Sequence, residues 1–278
     1  MTLSLTPSVS SFRKLHESGC FVLPNPWDEG SAKCLQHLGF KALATTSAGL
    51  AFSRGLPDTV TALSLDSVLS HISDIVKATS LPVNADFQSG YADNAEGVAT
   101  NVARCVATGT AGLSIEDASG DEAKPLYPRN FAIERIRAAR KAIDATKSGV
   151  ILTARCEAWL VGDENPFRTA IDRLTAYAEA GADCLFAPGV SDAEEIEAIV
   201  KAVSPKPVNV IVSSAAGAHS VSRLAELGVR RISVGSALAR TAWGAFLRAA
   251  KNIAETGSFE GFADAASFSE LNEIFSEQ

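Results

Sequence analysis

Apolar and polar positions follow two rhythms along this chain. Short apolar runs, most of them bounded by Pro, Gly or a charged residue, occur at residues 21–24, 42–46, 83–87, 112–116, 150–154, 184–187, 208–212 and 231–234. Such runs read as buried strands. A segment of helical period follows each one, and another at residues 11–18 precedes the first. Gly39, Gly109, Gly181 and Gly228 stand just ahead of strands, as in Ala180-Gly181-Ala182-Asp183 and Leu227-Gly228-Val229-Arg230. That is the place of a glycine closing a helix. Alternating βα units predict an α/β protein with a parallel sheet, and eight of them predict a closed (β/α)8 TIM-type barrel of about 250 residues. A doubly wound open sheet is the alternative; no GxGxxG opens the first helix, which argues against it.

No linker rich in Pro, Gly and Ser divides the chain, so residues 1–278 read as one barrel domain with 237–278 as a C-terminal helical extension. Within it, 237–256 has helical period with Trp243, Phe246 and Leu247 on one face. Gly257-Ser258-Phe259-Glu260-Gly261-Phe262 breaks that helix, and 268–275 forms another amphipathic one. Phe259, Phe262, Phe268 and Phe275 give this tail more aromatic surface than a barrel needs outside itself. The expectation is a subunit interface, against the alternative that the tail packs on its own barrel.

Composition narrows the partners. At 278 residues, with 46% hydrophobic and 21% charged positions, the chain is long enough for a large globular core. A formal charge of -7 and a pI near 5.2 argue against nucleic acid or an anionic membrane. No apolar run approaches the ~20 residues of a membrane span, and residues 1–11 carry no charged start followed by an apolar run, so no secretory signal is expected. Cys20, Cys34, Cys105, Cys156 and Cys184 show no CxxC spacing. Scattered in this way they predict reduced core residues and a cytoplasmic protein without structural zinc.

A barrel places its active site at the carboxyl ends of the strands. There stand Asn25-Pro26-Trp27-Asp28, Thr45-Thr46-Ser47-Ala48-Gly49 with Asp58 beyond it, Asp86 and Gln88, Glu116 and Asp117, Arg155 and Glu157, Ser213 and Ser214, and Gly235 and Ser236. Two neighbouring strands ending in carboxylates, Asp86 and Glu116, suit a hard divalent cation, which takes oxygen ligands. Arg155, inside Leu152-Thr153-Ala154-Arg155, needs a charged partner in a barrel expected to fill with Val, Ile and Leu. A purely structural bridge from Arg155 to Glu157 or Glu116 is the competing reading. His16, His37, His71 and His219 read as surface or packing residues, with only His219 on the catalytic side.

These segments resemble the isocitrate lyase/phosphoenolpyruvate mutase superfamily, in its short phosphoenolpyruvate mutase-like branch. The resemblance runs from about Phe12 to Phe246. It rests on Asn25-Pro26-Trp27-Asp28, Thr46-Ser47-Ala48-Gly49-Leu50 with Gly55 and Asp58, Asn84-Ala85-Asp86-Phe87 with Gly90-Tyr91, Ser114-Ile115-Glu116-Asp117, Ala154-Arg155-Cys156-Glu157-Ala158 and Val234-Gly235-Ser236. It implies a Mg²⁺ or Mn²⁺ enzyme that acts on an α-oxo acid through a pyruvate-type enolate. By motif, Asp86 is implied as the direct metal ligand, with Glu116 and Asp58 on metal-bound waters and Gln88 beside them. The N–H groups of Ser47, Ala48 and Gly49 are implied as a carboxylate cradle, with Arg155 facing the carboxylate and the enolate. Ser47, Arg155 and Glu157 are the catalytic candidates; Asn25 and Trp27 join the candidate substrate contacts. The resemblance also implies a homo-oligomer, dimer or tetramer, that exchanges its C-terminal helices.

Departures from the superfamily pattern select among reactions. Gln88 stands where many members carry a second acid. The loop Ala118-Ser119-Gly120-Asp121-Glu122-Ala123-Lys124-Pro125-Leu126-Tyr127 lacks the Cys and His of the isocitrate and methylisocitrate lyases. No Asn occurs in 118–129, where phosphonomutases place one. The expected reaction is therefore oxaloacetate-like decarboxylation. Alternatives are another C–C lyase using Lys124 or Asp121, C–P bond chemistry, and a barrel that binds an oxo acid without turnover.

Overall fold

The computed structural model describes residues 5–59 and 61–276. Its strands are β1 (Phe21–Leu23), β2 (Leu43–Ala44), β3 (Val83–Asp86), β4 (Gly112–Glu116), β5 (Ile151–Arg155), β6 (Cys184–Phe186), β7 (Val208–Ile211) and β8 (Arg231–Ser233). The helices are α1 (Pro7–Glu17), α2 (Glu29–His37), α3 (Ser47–Ser53), α4 (Leu65–Ala78), α5 (Ala95–Val106), α6 (Arg129–Thr146), α7 (Pro166–Glu179), α8 (Ala193–Val203), α9 (Val221–Glu226), α10 (Ala237–Thr256) and α11 (Phe268–Ser276).

All strand pairs are parallel, in the order β1-β8-β7-β6-β5-β4-β3-β2. The seam between β1 and β2 is closed by the Ala44 N–H, which donates to the Pro24 carbonyl at 3.0 Å. Asn25 ties the same seam from above. Its Nδ2 donates to the Thr45 carbonyl (2.9 Å), and its Oδ1 accepts from the N–H groups of Val234 (3.0 Å) and Gly235 (2.9 Å). The result is the (β/α)8 barrel with C-terminal helices, and the pairing of β1 with β8 rules out the open sheet.

The strands are shorter than their apolar runs, because each run continues into a loop that leaves the ladder. The first helix starts at Pro7, ahead of the first strong apolar position, because Thr6 caps it by accepting the Val9 N–H (3.3 Å) and Pro7 suits the first turn. An additional short helix, α3, begins at Ser47, where Thr46 accepts the Gly49 N–H (3.2 Å).

Outward positions are apolar and buried beneath helices: Val83, Ala85, Leu113, Ile115, Leu152, Ala154, Val208 and Ile232. The inward positions one residue away are polar instead of the Val, Ile and Leu expected: Asn84, Ser114, Thr153, Asn209, Arg231 and Ser233, all buried. Below them α1 plugs the amino-terminal end. Phe12 is fully buried, and a Cβ on Gly112 would lie 2.6 Å from its ring and 2.7 Å from Asn84 Oδ1, so only glycine fits there. His16 meets Phe12 and Phe21 edge-on at 4.6 and 5.1 Å. The tail lies along its own chain, with Gly261 against Ala249 of α10 and the Phe275 ring near Gly30 of α2.

His16 is a joint of this plug, which its reading as a plain packing residue did not foresee. Nδ1 bonds the Phe12 carbonyl at 2.8 Å and Nε2 meets Arg231 Nη1 at 3.3 Å. Only a neutral ring with its proton on Nδ1 satisfies both. Burial, then the Arg231 charge, push its pKa from 6.5 down to about 3, against the Phe12 carbonyl. The unfolded chain therefore takes up a proton that the folded chain refuses. The stability conferred by the neutral ring is complete above about pH 6.5 and lost progressively as pH falls toward about 3. Denaturant titrations between about pH 7.5 and about pH 5 should show wild-type stability falling, with a shallower slope in His16→Gln, whose amide offers an uncharged acceptor. Equal slopes would show that His16 titrates freely.

Candidate active site

At the carboxyl ends of the strands a cavity of about 620 Å³ opens into the barrel. Its wall includes Asn25, Ser47, Ala48, Asp58, Asp86 and Arg155, and it descends to Asn84, Asn209 and Arg231.

Arg155 ends β5 and distributes its guanidinium over three acids. Nη1 lies 2.8 Å from Asp86 Oδ1, Nη2 3.1 Å from Glu116 Oε2, and Nε 2.9 Å from Glu157 Oε1. The register explains the convergence: Glu116 pairs with Arg155 across β4 and β5, and Arg155 with Phe186 across β5 and β6. The guanidinium also sits 5.4 Å from the Phe186 ring centre. Burial alone would lower the Arg155 pKa, but Glu157, Glu116 and Asp86 more than reverse that. Glu116 is pushed up to about 8 by burial, with Arg155 opposing and Glu157, Asp86 and Asp117 reinforcing. Burial raises Glu157 too, again against Arg155.

The same donor set bears on whether a divalent cation fits here. Among the described residues, no three His, Cys, Asp or Glu side chains converge closely enough to enclose a metal by themselves. Three carboxylates, Glu157 buried and Asp86 and Glu116 partly so, nevertheless share a single guanidinium, so ionised they leave a net negative charge. Asp86 uses both oxygens within the protein, Oδ1 toward Arg155 and Oδ2 accepting the Ser47 N–H at 3.0 Å. A carboxylate oxygen has two lone pairs, so each oxygen retains one. Excess charge, oxygen donors and few direct ligands fit Mg²⁺, which keeps most of its waters.

The consecutive acids Glu116 and Asp117 divide their work, because neighbouring residues leave a strand on opposite sides. Asp117 turns outward. Its Oδ2 accepts from the Tyr177 hydroxyl at 2.6 Å and from Arg173 Nη1 at 3.0 Å, and its Oδ1 accepts the Glu157 N–H at 2.8 Å. Arg173 also holds the Tyr127 carbonyl (2.9 Å) at the base of the loop after β4. That loop is a hairpin, bridged at Ala118 and Leu126. Its Asp121 carboxylate accepts the Ala123 N–H within the loop, at 2.9 Å.

Other predicted site residues fall in different places. Of the expected N–H cradle, Ser47 donates to Asp86 and Gly49 to Thr46. Asn25 lines the cavity, its Oδ1 taken by two seam N–H groups and its Nδ2 donating to the Thr45 carbonyl. Trp27 backs α3, its Cβ 3.0 Å from where a Gly49 Cβ would stand, and is not among the cavity-lining residues. Gln88 adopts φ 41° and accepts the Glu116 N–H on its carbonyl at 2.9 Å, so its backbone shapes the turn under the acids. Glu116 and Glu157 meet the cavity through Arg155 rather than on its wall. Asn209, Arg231 and Ser233 were missed, although Val208-Asn209-Val210 and Arg231-Ile232-Ser233 carry a period of two whose polar side faces inward.

The model of the phosphoenolpyruvate phosphomutase family matches residues 12–254. The chain belongs to that family. Within it, oxaloacetate decarboxylase 1 of Pseudomonas putida (strain W619) is 32% identical over 235 residues, covering 82% of this chain and 78% of that one. A Burkholderia cenocepacia J2315 structure, described provisionally as a lyase/mutase, superposes with a TM-score of 0.92 at 46% identity, covering 97% and 95%. Oxaloacetate acetylhydrolase in complex with its product oxalate gives a TM-score of 0.86 at 27% identity, covering 98% and 94%. The family match places the chain in the phosphoenolpyruvate mutase/isocitrate lyase superfamily that its motifs resemble.

In this family member the outward acid is separable from the cavity. Asp117→Asn keeps the size of the side chain but removes the charge that balances buried Arg173. Breaking one side of a buried pair costs about 3–5 kcal/mol. Urea denaturation should show a loss of that order; a loss below about 1 kcal/mol would make this network dispensable.

Proposed function

We propose that the chain is a Mg²⁺- or Mn²⁺-dependent lyase of a small α-oxo dicarboxylate, acting through a pyruvate-type enolate, with oxaloacetate decarboxylation as the concrete case. The observation that carries this reading is Arg155, lining the cavity under the hold of three carboxylates, while no residue of 118–127 reaches the cavity wall. Decarboxylation of a β-oxo acid needs no base to begin. The C–C bond breaks, carbon dioxide leaves, and its electron pair remains as the enolate.

Asp86 would hold the cation directly, with Glu116 and Asp58 on its waters and the Gln88 amide a weaker neighbour. Bound there, it would supply Lewis-acid polarisation of the oxo group and charge for the enolate oxygen. Arg155 has five N–H donors, of which its carboxylate partners use three. The remaining donors suit the substrate carboxylate and the developing enolate. Glu157 and Glu116 hold the guanidinium in that orientation. Ser47 and Ala48 line the wall beside Asp86 and suit the carboxylate end of the substrate. The similarity to oxaloacetate decarboxylase supports the choice of substrate. All five cysteines are unpaired, which supports a reducing, cytoplasmic compartment.

Incubation with oxaloacetate and a panel of 2-oxo and 2-hydroxy acids tests the reading. Pyruvate and carbon dioxide, released only with Mg²⁺ or Mn²⁺, are expected. Oxalate with acetate, or turnover undiminished by EDTA, would overturn it. Arg155→Lys should reduce kcat about a hundredfold or more, the loss of about 3 kcal/mol at the transition state. An ammonium cannot span the three carboxylates, so the metal-free variant should also melt lower. Parental turnover in Arg155→Lys would remove Arg155 from the enolate.

We further propose that a second copy covers α10, as a dimer or tetramer in which the C-terminal helices are exchanged. Along α10 only Ala239 is buried, while Trp243, Phe246 and Leu247 are exposed, with Phe259, Phe262 and Phe268 beyond them. Light scattering should find a stable oligomer, and Phe246→Glu with Leu247→Glu should shift it toward monomer. A monomeric wild-type protein at micromolar concentration would refute the assembly.

A further inference from the structure

The barrel floor carries a cation that the chain itself does not neutralise. Arg231, on β8, is 2% exposed. Its Nε donates to Asn209 Oδ1 (2.8 Å), its Nη2 to Thr153 Oγ1 (3.0 Å), and its Nη1 meets His16 Nε2 (3.3 Å). All these partners are neutral, and among the described residues no carboxylate pairs with Arg231. Arg155, by contrast, has three. A guanidinium stays charged in proteins, and burial pushes the Arg231 pKa downward with only Cys184 opposing. Buried charges are otherwise paired.

Arg231 is also reachable. It lines the same cavity as Arg155. Thr153 and Arg155 lie two residues apart on β5 and so face the same way, about 6.6 Å apart along the strand. Bonded to Thr153, the Arg231 guanidinium lies about one layer below the carboxylate cluster. Only three of its five donors are engaged. Asn84, 3% exposed, lines the cavity at the same level, with its unpartnered Oδ1 turned to Gly112 and closed off from solvent.

We propose that the barrel interior beneath Arg155 is an anion subsite for a small planar oxyanion of the carboxylate class. The anion accepts from the free N–H groups of Arg231. The pocket is selective by size and charge: Ser114, Ser233 and Ala44 leave room at its walls, and the neutral His16 closes it below. Such an anion comes either from solution or as the remote carboxylate of a substrate already held at Arg155. Only the second source rests on the function proposed above.

The test uses the full chain with sodium formate as probe. Formate should raise the wild-type melting temperature by a few degrees, as a ligand of the native state does. It should have no such effect on Arg231→Met, and crystals soaked in formate should show it within hydrogen-bonding distance of Arg231. Arg231→Lys, which keeps the charge, should retain a weakened response and serves if the Met variant does not fold. Formate beside Arg231 together with oxalate at Arg155 identifies free anion as the source. A rise of tenfold or more in the Kd of malonate, with that of acetate unchanged in Arg231→Lys, identifies the remote carboxylate. Equal formate responses in wild type and variants, with only water beside Arg231, would overturn the proposal, and would do so whether or not the protein decarboxylates oxaloacetate.

Discussion

The guanidinium of Arg155 shares its N–H groups among Asp86, Glu116 and Glu157, and the carboxyl end of the barrel depends on that sharing. One side chain from β5 reaches acids at the ends of β3 and β4 and on the following loop, while it faces Phe186 of β6. Burial works against the ionised forms of Glu116 and Glu157, and Arg155 opposes that in both. One cation faces three acids, and burial, opposed by Arg155 and reinforced by the neighbouring acids, raises Glu116 to about 8. The structural bridge is therefore compatible with the role proposed for Arg155. The pairing that fixes its orientation also leaves the charge deficit that a divalent cation would fill.

The barrel was legible because its outward positions obey simple rules. Each strand lies in a short apolar run or alternates apolar with polar, and glycines such as Gly181 and Gly228, with φ of 105° and 86°, end the preceding helices. Asp86, Glu116 and Arg155 were legible because each ends an apolar run. Their mutual contact was not, since it depends on how strands far apart in sequence are aligned side by side, as Glu116 is with Arg155. Glu116 and Asp117 looked equivalent in sequence, yet one residue of strand geometry sends the first to Arg155 and the second to Arg173 and Tyr177. Asn25, expected as a substrate contact, lines the cavity and also clamps the seam, which its sequence position did not reveal.

The inward layer was misread for a different reason. A barrel interior is ordinarily a packed apolar core, and that expectation hid the polar half of the two-residue period in β7 and β8. Asn209 and Ser233 bond each other across the interior at 2.9 Å, and Arg231 bonds Asn209 beside them. Polar groups in such a place must find partners, and they have found them chiefly in one another. Asn84 Oδ1 is left over, at the level where the cavity ends.

A polar interior is affordable here because the strands do not rely on it for burial. Val83, Ala85, Leu113, Ile115, Leu152 and Ala154 are each at most 1% exposed, and all belong to the core shared between strands and helices. Burying a Val, Leu or Ile side chain contributes roughly 1.5–3 kcal/mol, so the outer shell supplies the stability that an apolar interior would otherwise add. The floor then needs only a seal. Phe12 and the neutral His16 provide it from α1, with Gly112 making space for the Phe12 ring. Stability is thus carried outside the sheet, leaving the inside free to hold acids, guanidinium groups and a cavity. Substitutions on the two faces of one strand should differ accordingly: changes at Leu113 or Leu152 act on folding, whereas changes at Ser114 or Thr153 act on what the barrel can hold.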